Sequence, residues 1–182
     1  MVDDKTILKL ISNPTSSREG YRILITQNKE KLYWHIRKMV SDHDDADDIL
    51  QNVFLKVIKH IKDFKGESSL FTWMFKIARN ESLNHVKQAK IRSTLEIKEN
   101  FVSHLTTHNE NFEEEASYHS LLRAMETLPL KQKEVFIMRY FDELPYKDMA
   151  NMTGTSEGAL KASYHLAVQK ITHFLTNANL NQ

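Results

Sequence analysis

Apolar residues at Ala46, Ile49, Leu50, Val53, Phe54, Val57, Ile58 and Ile61 repeat at the i, i+3, i+4, i+7 spacing of one helix face. The stretch before them, DHDDADD at 42–48, carries five carboxylates, which favour a helix start through capping and the macrodipole. A polar turn with one glycine follows at 63–69. Ser68 or Ser69 then caps a second helix from Leu70 to about Lys90, with Leu70, Phe71, Met74, Phe75, Ile77, Ala78 and Val86 on its core half. Further along, 118–128 reads as a helix stopped by Pro129, and roughly Gln132 to Phe141 as another. Pro145 opens a short helix with Met149, Ala150 and Met152 on its apolar face. After Gly154, Thr155 or Ser156 caps a last helix whose core stripe is Leu160, Tyr164, Ala167, Val168, Ile171 and Leu175. With 4 Gly, 3 Pro and little β-type alternation, the chain reads as all-α. The first 20 residues fit either an extra helix or a tail.

Charge divides what the apolar pattern leaves continuous. Residues 1–92 hold 17 Lys/Arg against 12 Asp/Glu, residues 93–120 one Lys against six Glu, and residues 121–182 seven basic against six acidic residues. The acidic middle has almost no apolar periodicity, so 93–115 reads as a flexible linker between two small helical domains, 1–92 and 116–182. There is no cysteine, which removes disulfides, thiolate metal sites and thiol nucleophiles and suits a reducing cytoplasm. No signal peptide or bilayer-spanning run is seen, so membrane insertion is not expected.

The polar faces carry the chemistry. A calcium loop beginning at Asp42 would need an oxygen ligand at Ala46 and a glycine at Asp47, so the EF-hand template fails. Opposite the core face of the first helix stand Asp48, Gln51, Asn52, Leu55 and Lys59. A leucine there fits either a solvated face with one stray apolar residue or a docking patch. On the next helix Trp73, Lys76, Asn80, Asn84 and Lys87 form one stripe, a combination that suits single-stranded nucleic acid through stacking, phosphate contact and base-edge hydrogen bonds. The ordinary alternative is an indole packed under a neighbouring helix among solubilising lysines. The short helix, the turn at Gly154 and the longer helix make either a helix-turn-helix or a plain helical hairpin. Its exposed face holds Gly158, Lys161, Ala162, His165 and Gln169. His104 and His108 stand i, i+4 near Glu113–Glu115, but Leu105 occupies the place where a zinc protease needs its glutamate, so a metal enzyme is disfavoured.

Two of these segments carry a resemblance. DADDILQNVFLKVIKHIKDFKGESSLFTWMFKIARN at 45–80 resembles region 2 of bacterial RNA polymerase sigma factors. LPLKQKEVFIMRYFDELPYKDMANMTGTSEGALKASYHLAVQKI at 128–171 is similar to region 4. With a short linker and no room for region 3, the order matches the extracytoplasmic-function (ECF) group. The resemblance implies a promoter-specificity subunit without catalysis or cofactor. Asp48, Gln51, Asn52 and Leu55 would dock on the β′ clamp helices of core RNA polymerase. Phe64, Lys65, Ser68, Ser69, Trp73, Lys76, Asn80 and Lys87 would hold the unpaired −10 strand, with one base flipped into the loop pocket. Thr155, Ser156, Lys161, Ala162 and His165 would meet the −35 duplex, the same domain leaning on the β flap. An anti-sigma partner is a family-level expectation.

Departures from the family pattern sharpen this. Where relatives often have Thr-Val-Lys-Ser-Arg, this chain has Ala159-Leu160-Lys161-Ala162-Ser163, and a common His-Arg-Ala is His165-Leu166-Ala167. Lys161, His165 and the capped helix end should therefore carry more of the duplex contact. The linker stretches roughly 70 Å at ~3.3 Å per residue, enough to span two duplex turns at ~34–36 Å each. The other reading of the residues is a helix-turn-helix regulator that binds duplex DNA without polymerase. Such a regulator has no use for Trp73 on a basic face or for the 48–55 patch.

Overall fold

The computed structural model describes the backbone of residues 1–40, 42–95 and 112–180, and side chains within 1–40, 42–92 and 118–177. Every regular element among them is helical. The chain divides into two units, Met1–Glu99 and Asn100–Gln182. The first holds α1 (Asp4–Ser12), α2 (Ser17–Met39), α3 (His43–His60) and α4 (Leu70–Leu95), with a 3-10 turn at Ile61–Asp63. The opening residues are thus a helix, and α1 packs on α2. Gly20 allows the approach, since a Cβ there would meet Ile11 at 2.8 Å. Helices α2, α3 and α4 pack against one another around Leu24, Leu32, Ile36, Val53, Met74 and Phe75. His35 is fully buried, its ring 4.2 Å from that of Phe75. Ile58, expected in the core stripe, is 42% exposed. It lies about 120° around the helix from Ala46, at the edge of the apolar arc, and α2 and α4 do not reach that far.

The second unit holds α5 (Phe112–Glu126), α6 (Leu130–Phe136), α7 (Tyr146–Thr153) and α8 (Glu157–Leu180). Helices α5, α6 and α7 each pack on α8, burying Met125, Phe136, Met149, Leu160, Ala167 and Ile171. The helix expected as one piece to Phe141 ends at Phe136 and widens into a π turn over Ile137–Phe141. Most of the acidic 93–115 segment, His104 and His108 included, lies outside the described residues; 93–95 close α4 and 112–115 open α5. No helix among the described residues is long and apolar enough to cross a membrane.

Candidate nucleic-acid and docking interfaces

The acidic turn at 42–48 separates into individual roles. Asp42 is the N-cap of α3, its carboxylate accepting from the backbone N–H of Asp44 at 2.8 Å and of Asp45 at 3.2 Å. Asp45 pairs with His85 Nε2 of α4 at 3.3 Å, and Asp47 with His43 Nε2 at 3.7 Å. Midway along α3, Lys56 donates to Glu81 of α4 at 2.7 Å. The Asp45–His85 and Lys56–Glu81 pairs fasten α3 to α4, whereas Asp47–His43 lies within α3. Asp48, Gln51, Asn52 and Leu55 are all exposed, Leu55 by 59%. Among the described residues Asp48 has no ion-pair partner, so its charge faces solvent. The exposed Ile58 stands one turn from Leu55 and widens the apolar strip. Among the described residues no group of three or more His, Asp or Glu side chains converges on a metal site.

The second set gathers at the start of α4. The Phe64 N–H donates to the Ile61 carbonyl at 3.2 Å, and its half-buried ring lies 5.5 Å from that of Trp73. Lys65, Gly66, Glu67, Ser68 and Ser69 are all exposed, and Gly66 takes φ of 73°. Of the two candidate caps the structure uses Ser69. Its Oγ accepts the Thr72 N–H at 3.1 Å and shares a 2.9 Å hydrogen bond with Thr72 Oγ1. Trp73, on the side away from the core, is partly exposed, as is Lys76; Asn80 and Lys87 are exposed along the same face. The arrangement is an aromatic pair at a loop mouth, with cations and an amide continuing down one helix. It offers stacking surface and phosphate contacts along one track. No spacing or motif marks Asp4, whose carboxylate accepts the Leu70 N–H at 2.8 Å from 66 residues away.

The third set lies on α7 and α8. Gly154 closes α7 in the left-handed region, φ 69°, as a conformation glycine adopts without strain. Ser156 caps α8, its Oγ accepting the Ala159 N–H at 3.3 Å, while the Thr155 N–H goes to Thr153 Oγ1 at 3.2 Å. Thr155, Ser156, Lys161, Ala162 and His165 are exposed together with Gly158 and Gln169. Lys161 Nζ sits 5.6 Å from the centre of the Tyr146 ring, and the Arg139 guanidinium carbon 5.3 Å from the same ring. The ring thus holds both cations near the mouth of the turn through its negative face. Sequence reasoning passed over Tyr146 and Arg139, because a cation–π contact between three elements has no local spacing. Burial, then the neighbouring Tyr146, pushes the Tyr164 hydroxyl above its ordinary pKa, so it stays a neutral phenol at physiological pH.

Known families match the two units separately. Residues 24–91 match the family profile described as Sigma-70 region 2, and residues 118–171 that described as Sigma-70, region 4. The chain is 25% identical over 158 residues to RNA polymerase sigma factor SigV of Bacillus subtilis, covering 86% of this chain and 92% of the relative. It is 25% identical over 159 residues to the ECF RNA polymerase sigma factor SigX of the same organism, covering 81% and 79%. Its fold is similar to that of the sigma factor RpoE of Bartonella quintana, solved in complex with the anti-sigma factor NepR, with a TM-score of 0.71, 21% identity and coverage of 86% and 96%. The chain belongs to the sigma-70 family, in its ECF group, and is a sigma factor for promoter-directed transcription by RNA polymerase.

Proposed function

We propose that residues 1–92 bind core polymerase and the −10 strand, that 116–182 read the −35 duplex, and that 93–115 tether the two. The observation that carries this reading is in the first unit. An exposed strip of acid, amides and apolar side chains on α3 and an aromatic pair on a basic helix face occur in one small bundle. A regulator that binds only duplex DNA needs neither. Asp48, Gln51, Asn52 and Leu55 meet the clamp helices of β′, with Ile58 added to the apolar part of the contact. Phe64, Lys65, Ser68, Ser69, Trp73, Lys76, Asn80 and Lys87 hold the unpaired strand. A base leaving the duplex loses a few kcal/mol of stacking and pairing, which loop contacts offset. Thr155, Ser156, Lys161, Ala162 and His165 meet the duplex, where small Gly158 and Ala162 let the helix approach the groove. The second unit also leans on the β flap. The chain works in the cytoplasm with polymerase and has no catalysis of its own. The NepR complex of a fold relative supports an anti-sigma factor as a further partner.

The test is reconstitution. Purified protein mixed with core polymerase directs run-off transcription from promoters recovered by sequencing the DNA that the holoenzyme retains. No association with core at micromolar concentration overturns the reading. Replacing Asp48 and Gln51 together by alanine weakens core binding and leaves binding of −35 duplex by the free protein unchanged. Equal loss of both means the α3 face has been misassigned.

A further inference from the structure

Residues 1–23 lie outside the segment that matches region 2, yet Asp4 among them reaches the point where an exposed loop of that segment enters α4. The loop from Phe64 to Ser69 has four consecutive exposed residues, Lys65, Gly66, Glu67 and Ser68, before the exposed cap Ser69. Its conformation is therefore held from its two ends. At the first end Phe64 is fixed by the Ile61 carbonyl and the Trp73 ring. At the second end the chain enters α4, where the first N–H groups of a helix have no partner within it. Ser69 satisfies the Thr72 N–H. The Leu70 N–H is satisfied by Asp4 Oδ2 at 2.8 Å, from α1.

Helix α1 is itself anchored at several points. Asp3 caps it, accepting from the N–H of Thr6 at 3.0 Å and its hydroxyl at 2.7 Å. The backbone of Val2 exchanges hydrogen bonds of 2.6 and 3.1 Å with the Gln27 amide of α2. Ile7 is buried, and Ile11 closes on Gly20. The two adjacent acids thus divide the work: Asp3 holds its own helix, and Asp4 holds another.

We infer that α1 is a brace for the strand-capture loop, with Asp4 the positioning residue that fixes where the loop joins α4. This deepens the reading of the loop as the −10 strand site and rests on it. The carboxylate also meets the positive end of the α4 dipole, which strengthens the contact. Because the brace grips backbone, it sets the path of Ser68 and Ser69 whatever their side chains do.

The experiment uses the full chain in holoenzyme and a single-stranded oligonucleotide carrying the −10 sequence of a promoter the holoenzyme retains. Asp4→Ala weakens oligonucleotide binding about fivefold, the size of one lost helix cap, while core affinity is unchanged. Asp4→Asn, which keeps an amide oxygen to accept the N–H, recovers most of the loss. Gly20→Ala, which pushes α1 away without touching Asp4, reproduces the defect. Val57→Ala, a core change in α3, lowers overall stability and leaves oligonucleotide affinity intact below the unfolding transition. Amide hydrogen exchange of the free protein speeds up at 66–70 in Asp4→Ala and not in Val57→Ala. Unchanged binding by Asp4→Ala, or equal loss in Val57→Ala, overturns the inference. If wild-type holoenzyme does not hold the oligonucleotide while exchange at 66–70 still responds to Asp4→Ala, the strand reading falls and the brace stands as a contact without that role.

Discussion

The helix proposed to face unpaired DNA and the helix proposed to face duplex both begin on a serine. Ser69 opens α4 and Ser156 opens α8, each accepting an N–H three residues on, at 3.1 and 3.3 Å. Each follows a glycine in the left-handed region, Gly66 or Gly154. What differs is the source of the remaining constraint. The turn before α8 is closed locally, by the α7 C-cap at Gly154 and by the Thr153 hydroxyl. The loop before α4 depends on Phe64 and Trp73 and on a carboxylate from the far N-terminus. Duplex DNA presents a preformed groove, and a rigid local turn suffices to enter it. A single strand has no shape of its own, so the protein must supply one. The long-range support sits where the shape has to be imposed.

The largest expected effect probes the bundle beneath the loop. Phe75→Ala removes a buried ring that packs on His35. It should cost about 3–5 kcal/mol of first-unit stability. Both tryptophans, Trp34 and Trp73, lie in this unit, so urea unfolding followed by tryptophan fluorescence reads the loss. Next, Trp73→Ala should weaken strand binding by about 1–3 kcal/mol and reduce permanganate reactivity of the opened promoter more than closed-complex formation. A footprint as strong as wild type breaks the division between the two helices.

The two glycines give a closer comparison. At neither would an added Cβ find a heavy atom within 4 Å, so alanine meets only the backbone penalty. Gly66→Ala and Gly154→Ala should each cost about 1–2 kcal/mol in chemical denaturation. Function should separate them: the first impairs strand binding, the second duplex binding. Smaller again is Lys161→Ala, which should lower the salt dependence of −35 duplex binding by about one phosphate contact. Tyr146→Leu, which removes the ring under Lys161, should reduce affinity while leaving that salt slope in place.

The smallest effect is one of pH. Hydrogen bonds from the Thr6 hydroxyl and N–H hold the Asp3 carboxyl below its ordinary pKa. A lowered acid contributes stability above its unfolded pKa and loses it as pH falls through the folded value. The α1 cap should therefore weaken only below the usual carboxylate range. Hydrogen exchange in α1 should rise there, and Asp3→Asn should flatten that response.

The helices from Asp42 onward, the two-unit division and the turn chemistry at Gly154 and Ser156 were legible along the chain. Those features depend on periodicity and on neighbours within a few residues. The exposed face of Asp48, Gln51, Asn52 and Leu55 was legible too, because helix geometry converts spacing directly into direction. Whatever required a partner from elsewhere waited for the packed molecule. Packing sorts the acids of 42–48 into a cap, two histidine pairs and two outward charges, Asp44 and Asp48, since only the position of His85 on α4 tells Asp45 from Asp48. It leaves Ile58 outside because the core is only as wide as the helices that cover it. It joins Tyr146 to Lys161 and Asp4 to Leu70. No spacing rule marks such contacts, because the energy of a hydrogen bond or a cation–π pair depends on where two segments meet and not on how far apart they lie along the chain.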